Sequence, residues 1–136
     1  MTDYSHMNTA VHSGSLTELR SAFESGHPCN EQACALAAGG GHLQSLQFLH
    51  EHGCPWNEET CAQAALMRHM GCLQYAHENG CPWDERTCAY AAMRCNLEAL
   101  RYAHENGCPW DKVTCAWAHD AACLKYAKDN GCPVAE

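Results

Sequence analysis

The sequence predicts an all-α fold, a helical solenoid of about five helix-turn-helix units with a period of 27 residues. Three observations carry this reading. Gly-Cys-Pro recurs at Gly53, Gly80, Gly107 and Gly131, with a diverged Gly-His-Pro at Gly26, and these glycines stand 27, 27, 27 and 24 residues apart. The segment His-Glu-Asn-Gly-Cys-Pro-Trp-Asp is identical at 77–84 and 104–111. Start and stop signals for two helices fall inside each period.

The first helix of a unit follows Asn30, Asn57, Asp84 or Asp111, residue types whose side chains cap the free amides of a helix N-terminus. Glu31, Glu58 and Glu85 come next, where a negative charge suits the helix dipole. The stretch that follows is rich in Ala and Cys. A second helix carries apolar residues at helical spacing, Leu43, Leu46 and Leu49 in one unit and Met70, Leu73 and Ala76 in the next. It stops at the Gly, which supplies the left-handed residue after a helix, and Pro stands two positions further on. Each helix spans about ten residues by these signals. A pair this short cannot bury its own apolar face and becomes stable only by stacking on neighbours. The whole of 1–136 is therefore read as one repeat domain, with units at about 1–25, 26–52, 53–79, 80–106 and 107–136. The first and last serve as caps. Met7 and Phe23 stand in the first unit where later units carry Cys and His, and the last has three residues fewer between its helices and Lys128 in the His column.

Composition narrows the function. Apolar residues make up 46% and charged residues 18%, a globular balance. The net charge of −8, from 8 Lys+Arg against 16 Asp+Glu, argues against a nucleic-acid partner, which needs a basic footprint. No apolar run approaches the roughly 18 residues of a membrane span, so no membrane insertion is expected. Met1 to Ala10 is polar and shows no secretory signal, which points to an intracellular place, cytoplasmic or nuclear. There the 12 cysteines are expected as free thiols or metal ligands rather than disulfides.

The unit resembles the ankyrin repeat. Ala91-Ala92, then Met93-Arg94-Cys95-Asn96-Leu97-Glu98, Leu100, Ala103 and Gly107 follow the ankyrin order of paired Ala, turn, Leu-rich second helix and closing Gly, and Ala37-Ala38 with Gly41-His42-Leu43 is closer still. The period is about six residues short of the usual ~33, and the shortfall lies between Asp84 and Thr87, where ankyrins place a β-hairpin finger. The chain also resembles the short Cys-rich ankyrin-like repeats, marked by HENGCPWD, of protists, algae and large DNA viruses. The resemblance covers nearly the whole chain. It implies a hairpin-less scaffold that binds another protein.

Aligning the units on their Gly yields columns to compare. Three residues before it stand Phe23, His50, His77, His104 and Lys128; one after it stand His27, Cys54, Cys81, Cys108 and Cys132. In the first helix stand Met7, Cys34, Cys61, Cys88 and Cys115. Three junctions thus share a His-x3-Cys-x6-Cys spacing. Zinc takes such ligands but wants four in a closed site, and only Cys72 is near enough to serve as a fourth. Small thiols packed as hydrophobes and a His bonded to a helix-end carbonyl account for the same columns. These thiols are expected inside the stack, reduced, and no metal or cofactor is assigned. Glu18, Ser45, Cys72, Ala99 and Cys123 form a mixed column read as partly exposed. Trp56, Trp83 and Trp110 are expected to stack along the solenoid edge.

Nothing points to catalysis, since no phosphate-cradling Gly loop, nucleophile elbow or H-E-x-x-H is present. A Cys/His dyad such as His77 with Cys81 recurs at junction after junction, which speaks for architecture. The expected function is a non-catalytic protein-interaction module, with a structural subunit of a larger assembly, or a zinc-binding or redox-responsive repeat protein, as alternatives. The columns that vary most between units are Leu36, Gln63, Tyr90 and Trp117, then Leu66-Met67 and Met93-Arg94. Stacking does not dictate them, and Tyr, Trp, Met and Arg are common in interface cores. The ankyrin resemblance places these positions on the concave surface. They are the candidate partner-binding residues.

Overall fold

A computed structural model describes residues 3–134; the extreme ends of the first and last units, residues 1–2 and 135–136, lie outside the described residues. Among the described residues the chain forms ten α-helices in consecutive pairs and no strand. These are α1 (Ser5–His12) and α2 (Leu16–Glu24), α3 (Glu31–Gly39) and α4 (Leu43–Glu51), α5 (Glu58–Leu66) and α6 (Met70–Glu78), α7 (Glu85–Met93) and α8 (Leu97–Glu105), α9 (Lys112–Trp117) and α10 (Ala121–Asp129). Residues 85–87, beside the position of the missing hairpin, are the first turn of α7.

Local chemistry sets the ends. The Asn57 side chain accepts from the Glu59 amide at 3.0 Å, and Asp84 does the same for Arg86 at 3.0 Å. Asn30 and Asp111 repeat the cap at α3 and α9. At the far end of α4 the Gly53 amide donates to the His50 carbonyl (3.1 Å) and the Cys54 amide to the Leu49 carbonyl (2.9 Å), the paired bonds of a left-handed helix stop. Gly53, Gly80 and Gly107 hold φ of 81°, 86° and 85° at this position.

The turns inside the units need the same left-handed residue. Gly14 and Gly41 supply it in the first two units, but Arg68 (φ 64°) and Cys95 (φ 56°) supply it in the next two. A Cβ in that conformation costs on the order of 1 kcal/mol. Replacing Arg68 or Cys95 by Gly is therefore expected to raise the midpoint of thermal unfolding modestly. Arg68→Gly also gives up the bond from its guanidinium to the Arg94 carbonyl (2.6 Å), so Cys95→Gly should show the larger gain. Calorimetry on the two variants checks both the sign and the order.

Two layers result. The first helices pack closely side by side, α3 on α5, α5 on α7 and α7 on α9, while the second helices touch more sparsely. Alanine makes the close layer possible, since Ala37, Ala64 and Ala91 occupy one buried column between neighbours. The layer of first helices is therefore the inner side of the curve. Larger side chains from the second helices fill the space between layers. Leu19, Leu46, Leu73 and Leu100 form a column at 0% exposure. Ser45, Cys72, Ala99 and Cys123, read from sequence as partly exposed, are buried as well. The position faces the interior, and small size rather than exposure is what these residues share. Only Glu18, in the first unit, is exposed.

At the C-terminal ends of the second helices, an aromatic ladder ties units together. His50 stacks on Trp56 with centroids 4.0 Å apart, and Tyr75 of the following unit meets the pair edge-on. His77 with Trp83 and Tyr102, and His104 with Trp110 and Tyr126, repeat the arrangement. Edge-to-face geometry suits the ring quadrupoles and contributes beyond area burial.

Candidate functional site

Each first helix turns its Ala and Cys face into the stack and leaves one column of larger side chains looking outward. Leu36, Gln63 and Tyr90 are half-buried in that column, and Trp117 is 40% exposed. At the ends of α5 and α7, Leu66 and Met93 are half-buried, while Met67 (45% exposed) and Arg94 in the turns that follow are open to solvent. All eight positions lie on the inner layer or its turns and none is enclosed by the stack. At the C-terminal end of this face the Tyr90 and Trp117 rings are parallel to within 1°, their centroids 6.2 Å apart.

At the N-terminal half the same face opens into a groove of about 740 Å³ across α1, α3 and α5. Leu36, Gln63 and Met67 line it; Leu66, Tyr90, Met93, Arg94 and Trp117 do not. Its floor is Ala35, Leu36, Gly39 and Gly40, and one rim carries Glu31 and Glu59. The hollow has a simple cause. Gly39 and Gly40 occupy the columns that hold Leu66 and Met67 in the next unit and Met93 and Arg94 in the one after. No side chain stands at Gly39, so space remains between Leu36 and Met67, while the His42 ring fills the place a Cβ on Gly40 would take, at 2.6 Å. Sequence reasoning named three of the lining residues but not the glycines, although two Gly in columns otherwise filled by large side chains were the visible signal.

Glu59 is fixed at the rim. Its carboxylate accepts from Gln63 Nε2 (2.8 Å) and from Arg86 (2.6 Å), and Arg86 also bridges to Asp84 at 3.1 Å. Glu31 is exposed and has no hydrogen bond from its side chain among the described residues. No Lys or Arg lines the groove.

The cysteines follow a different logic from the one their spacing implied. The Cys81 thiol donates to the Asn57 carbonyl at 3.3 Å, Cys108 to Asp84 at 3.3 Å and Cys132 to Asp111 at 3.3 Å. Each bond ties the loop after a second helix to the residue capping the first helix of the same pair, α6 to α5, α8 to α7 and α10 to α9. The thiols meet across the same helix pairs, Cys81 beside Cys61, Cys108 beside Cys88 and Cys132 beside Cys115. The interaction of its thiol proton with the Cys61 sulfur, and then burial, push the Cys81 thiol far above the ordinary range. Burial alone holds Cys72 at about 11, and burial with nearby Glu31 takes Cys34 up to about 12. Such thiols stay protonated and unreactive. Cys54 and Cys61, grouped by the junction spacing with His50, thus have separate partners, and the His50 ring lies on Trp56. Among the described residues no three His, Cys, Asp or Glu side chains converge to hold a metal ion.

One pair corrects the expectation of free thiols. Cys29 and Cys54 form a disulfide, with Cα atoms 6.0 Å apart, while the other ten cysteines are free. Cys29 stands in the column that is Trp56, Trp83 and Trp110 in later units. Phe23 and Phe48 meet edge-on across the first junction (centroids 5.2 Å apart), and the disulfide adds a covalent tie within the α3/α4 pair. The Cys54 sulfur keeps its place 3.5 Å from the Asn30 carbonyl, but once bonded to Cys29 it has no proton to donate.

Comparison with known proteins adds one finding. No family model matches the chain, and no curated protein matches it in sequence. In three dimensions it is similar to the human ASB11 ankyrin repeat domain, with a TM-score of 0.73 at 17% identity, covering 93% of this chain and 69% of that one. Paired antiparallel helices, Gly-terminated and stacked with the first helices inside, make the fold that of an ankyrin-type helical solenoid.

Proposed function

We propose that this chain is a non-catalytic module that binds another protein through the inner face of its first helices. The observation that carries the reading is the contrast between columns on one helix. The inward columns repeat as Ala and Cys from unit to unit, while the outward column changes from Leu36 to Gln63, Tyr90 and Trp117. Packing holds the first set constant and leaves the second free to be chosen for another purpose. Half-exposed Tyr, Trp and Met on a rigid face suit an interface centre, where large side chains that lose little entropy dominate affinity. Its similarity to an ankyrin repeat domain supports the reading at the level of fold. The chain fits beside the short Cys-rich ankyrin-like repeats through its HENGCPWD segments.

Affinity capture with the intact chain, followed by mass spectrometry, would identify partners. Tyr90→Ala and Trp117→Ala are expected to weaken the captured interaction by about tenfold or more each, as truncated interface anchors do, with helicity by circular dichroism unchanged. Unaltered affinity in both variants would remove the inner face from the interface.

A further inference from the structure

The groove at Gly39 and Gly40 has a chemistry more specific than the face around it. Its apolar lining is Ala35, Leu36, the bare backbone of Gly39 and the flexible Met67 thioether, with the His42 ring lying over Gly40. Its carboxylates are Glu31 and Glu59, beside the imidazoles of His12 and His42, and no Lys or Arg lines it. The volume, about 740 Å³, lies inside the range of preformed ligand pockets and exceeds what one side chain fills. Glu59 is held by Gln63 and already ion-paired with Arg86, so among the described residues Glu31 is the carboxylate without a partner. The chain as a whole carries a net charge of −8, which draws cationic partners by diffusion.

We propose that this groove is the specificity pocket of the inner face and receives a basic segment of the partner protein, a Lys or Arg side chain whose aliphatic stem lies on Leu36 and Met67 and whose charged head reaches Glu31 and Glu59. Long cationic side chains pack their stems on apolar surface while their heads stay at a polar rim. That division matches the floor and rim here. The proposal rests on the inner face being the binding surface, and it adds which part of that face selects the partner and by what chemistry.

Gly39 permits a clean test. It lies within α3, and a Cβ there would meet Gln63 at 3.4 Å and Met67 at 3.8 Å, ordinary contacts. Gly39→Ala should therefore fold, melt at a higher temperature because Ala is the better helix residue, and bind less well because the hollow shrinks. Gly39→Leu places in the pocket the residue found at Leu66, the equivalent position one unit on. The probe is a phage-displayed library of linear nonapeptides panned on the intact chain, with selected peptides resynthesised and titrated by fluorescence anisotropy. Selection is expected to enrich Lys or Arg next to Leu or Met. Replacing those cations by Gln should cost about tenfold in affinity, Gly39→Leu about tenfold, and Glu31→Gln about threefold with a weaker dependence on salt. Neutral or acidic selected peptides overturn the proposal, as does a library that yields no binder. Peptides that lose affinity with Tyr90→Ala and Trp117→Ala but not with Gly39→Leu overturn the pocket and leave the inner face standing. Peptides that are indifferent to all three variants overturn both.

Discussion

Leu73→Ala is expected to lower stability by about 3–5 kcal/mol, the cost of deleting three buried carbons and leaving a cavity that the neighbours only partly close. The side chain is at 0% exposure in the middle of the Leu19, Leu46, Leu73 and Leu100 column. It sits where the two layers meet and has a unit stacked on either side, so collapse is resisted from both directions. For a chain of this size the midpoint of unfolding should fall by roughly 10 °C or more. Leu124 is the same column in the last unit and only half-buried, and Leu124→Ala should cost well under half as much. Urea unfolding of both variants measures the difference. Equal costs would mean that the second-helix column is not the shared core and that the units do not depend on their neighbours.

Reducing the disulfide is the second large effect. Cys29 and Cys54 are 25 residues apart, and closing a loop of that length removes conformational freedom from the unfolded chain worth about 3.5 kcal/mol. The tie joins the loop that enters α3 to the loop that leaves α4, in the unit that bears the groove. The oxidised chain is expected to melt above the reduced chain by an amount that disappears in Cys29→Ser. The other ten thiols are free already, so a reductant has no second bond to break. A Cys29→Ser variant whose midpoint still fell with dithiothreitol, or a wild-type chain indifferent to it, would show that this bond does not tie the stack. The effect also bears on where the protein works, because a reducing compartment would keep the bond open.

The ankyrin-type fold and its elements were legible in the sequence because the signals are short-range. Asn57 and Asp84 cap helices through amides two residues away, and Gly53 stops one through bonds that span five residues. Periodicity then supplied the stacking, since each copy repeats the same apolar columns. The candidate site was legible only in part. The varying column from Leu36 to Trp117 is visible by aligning the units, and it does look out from the inner layer. That Leu36, Gln63 and Met67 share a groove, whereas Tyr90 and Trp117 form a separate parallel stack, depends on what stands beside them.

The cysteines show most clearly where sequence ends. Spacing alone put Cys54 with Cys61 and His50, seven and four residues away. Folding a unit back on itself instead brings Cys81 onto Cys61 across a separation of 20, and sends His50 to Trp56. The mixed column of Ser45, Cys72, Ala99 and Cys123 was misjudged for a related reason. Burial of a small residue depends on the element packed over it, not on its own polarity. By itself, then, the sequence determined the helices, their caps, their stops and their repetition, because those interactions close within one turn of chain. Only the tertiary structure decided which thiols meet, which small side chains are covered and where the missing side chain of Gly39 leaves a hollow, because each of these is set by the rotation and spacing of one helix against the next.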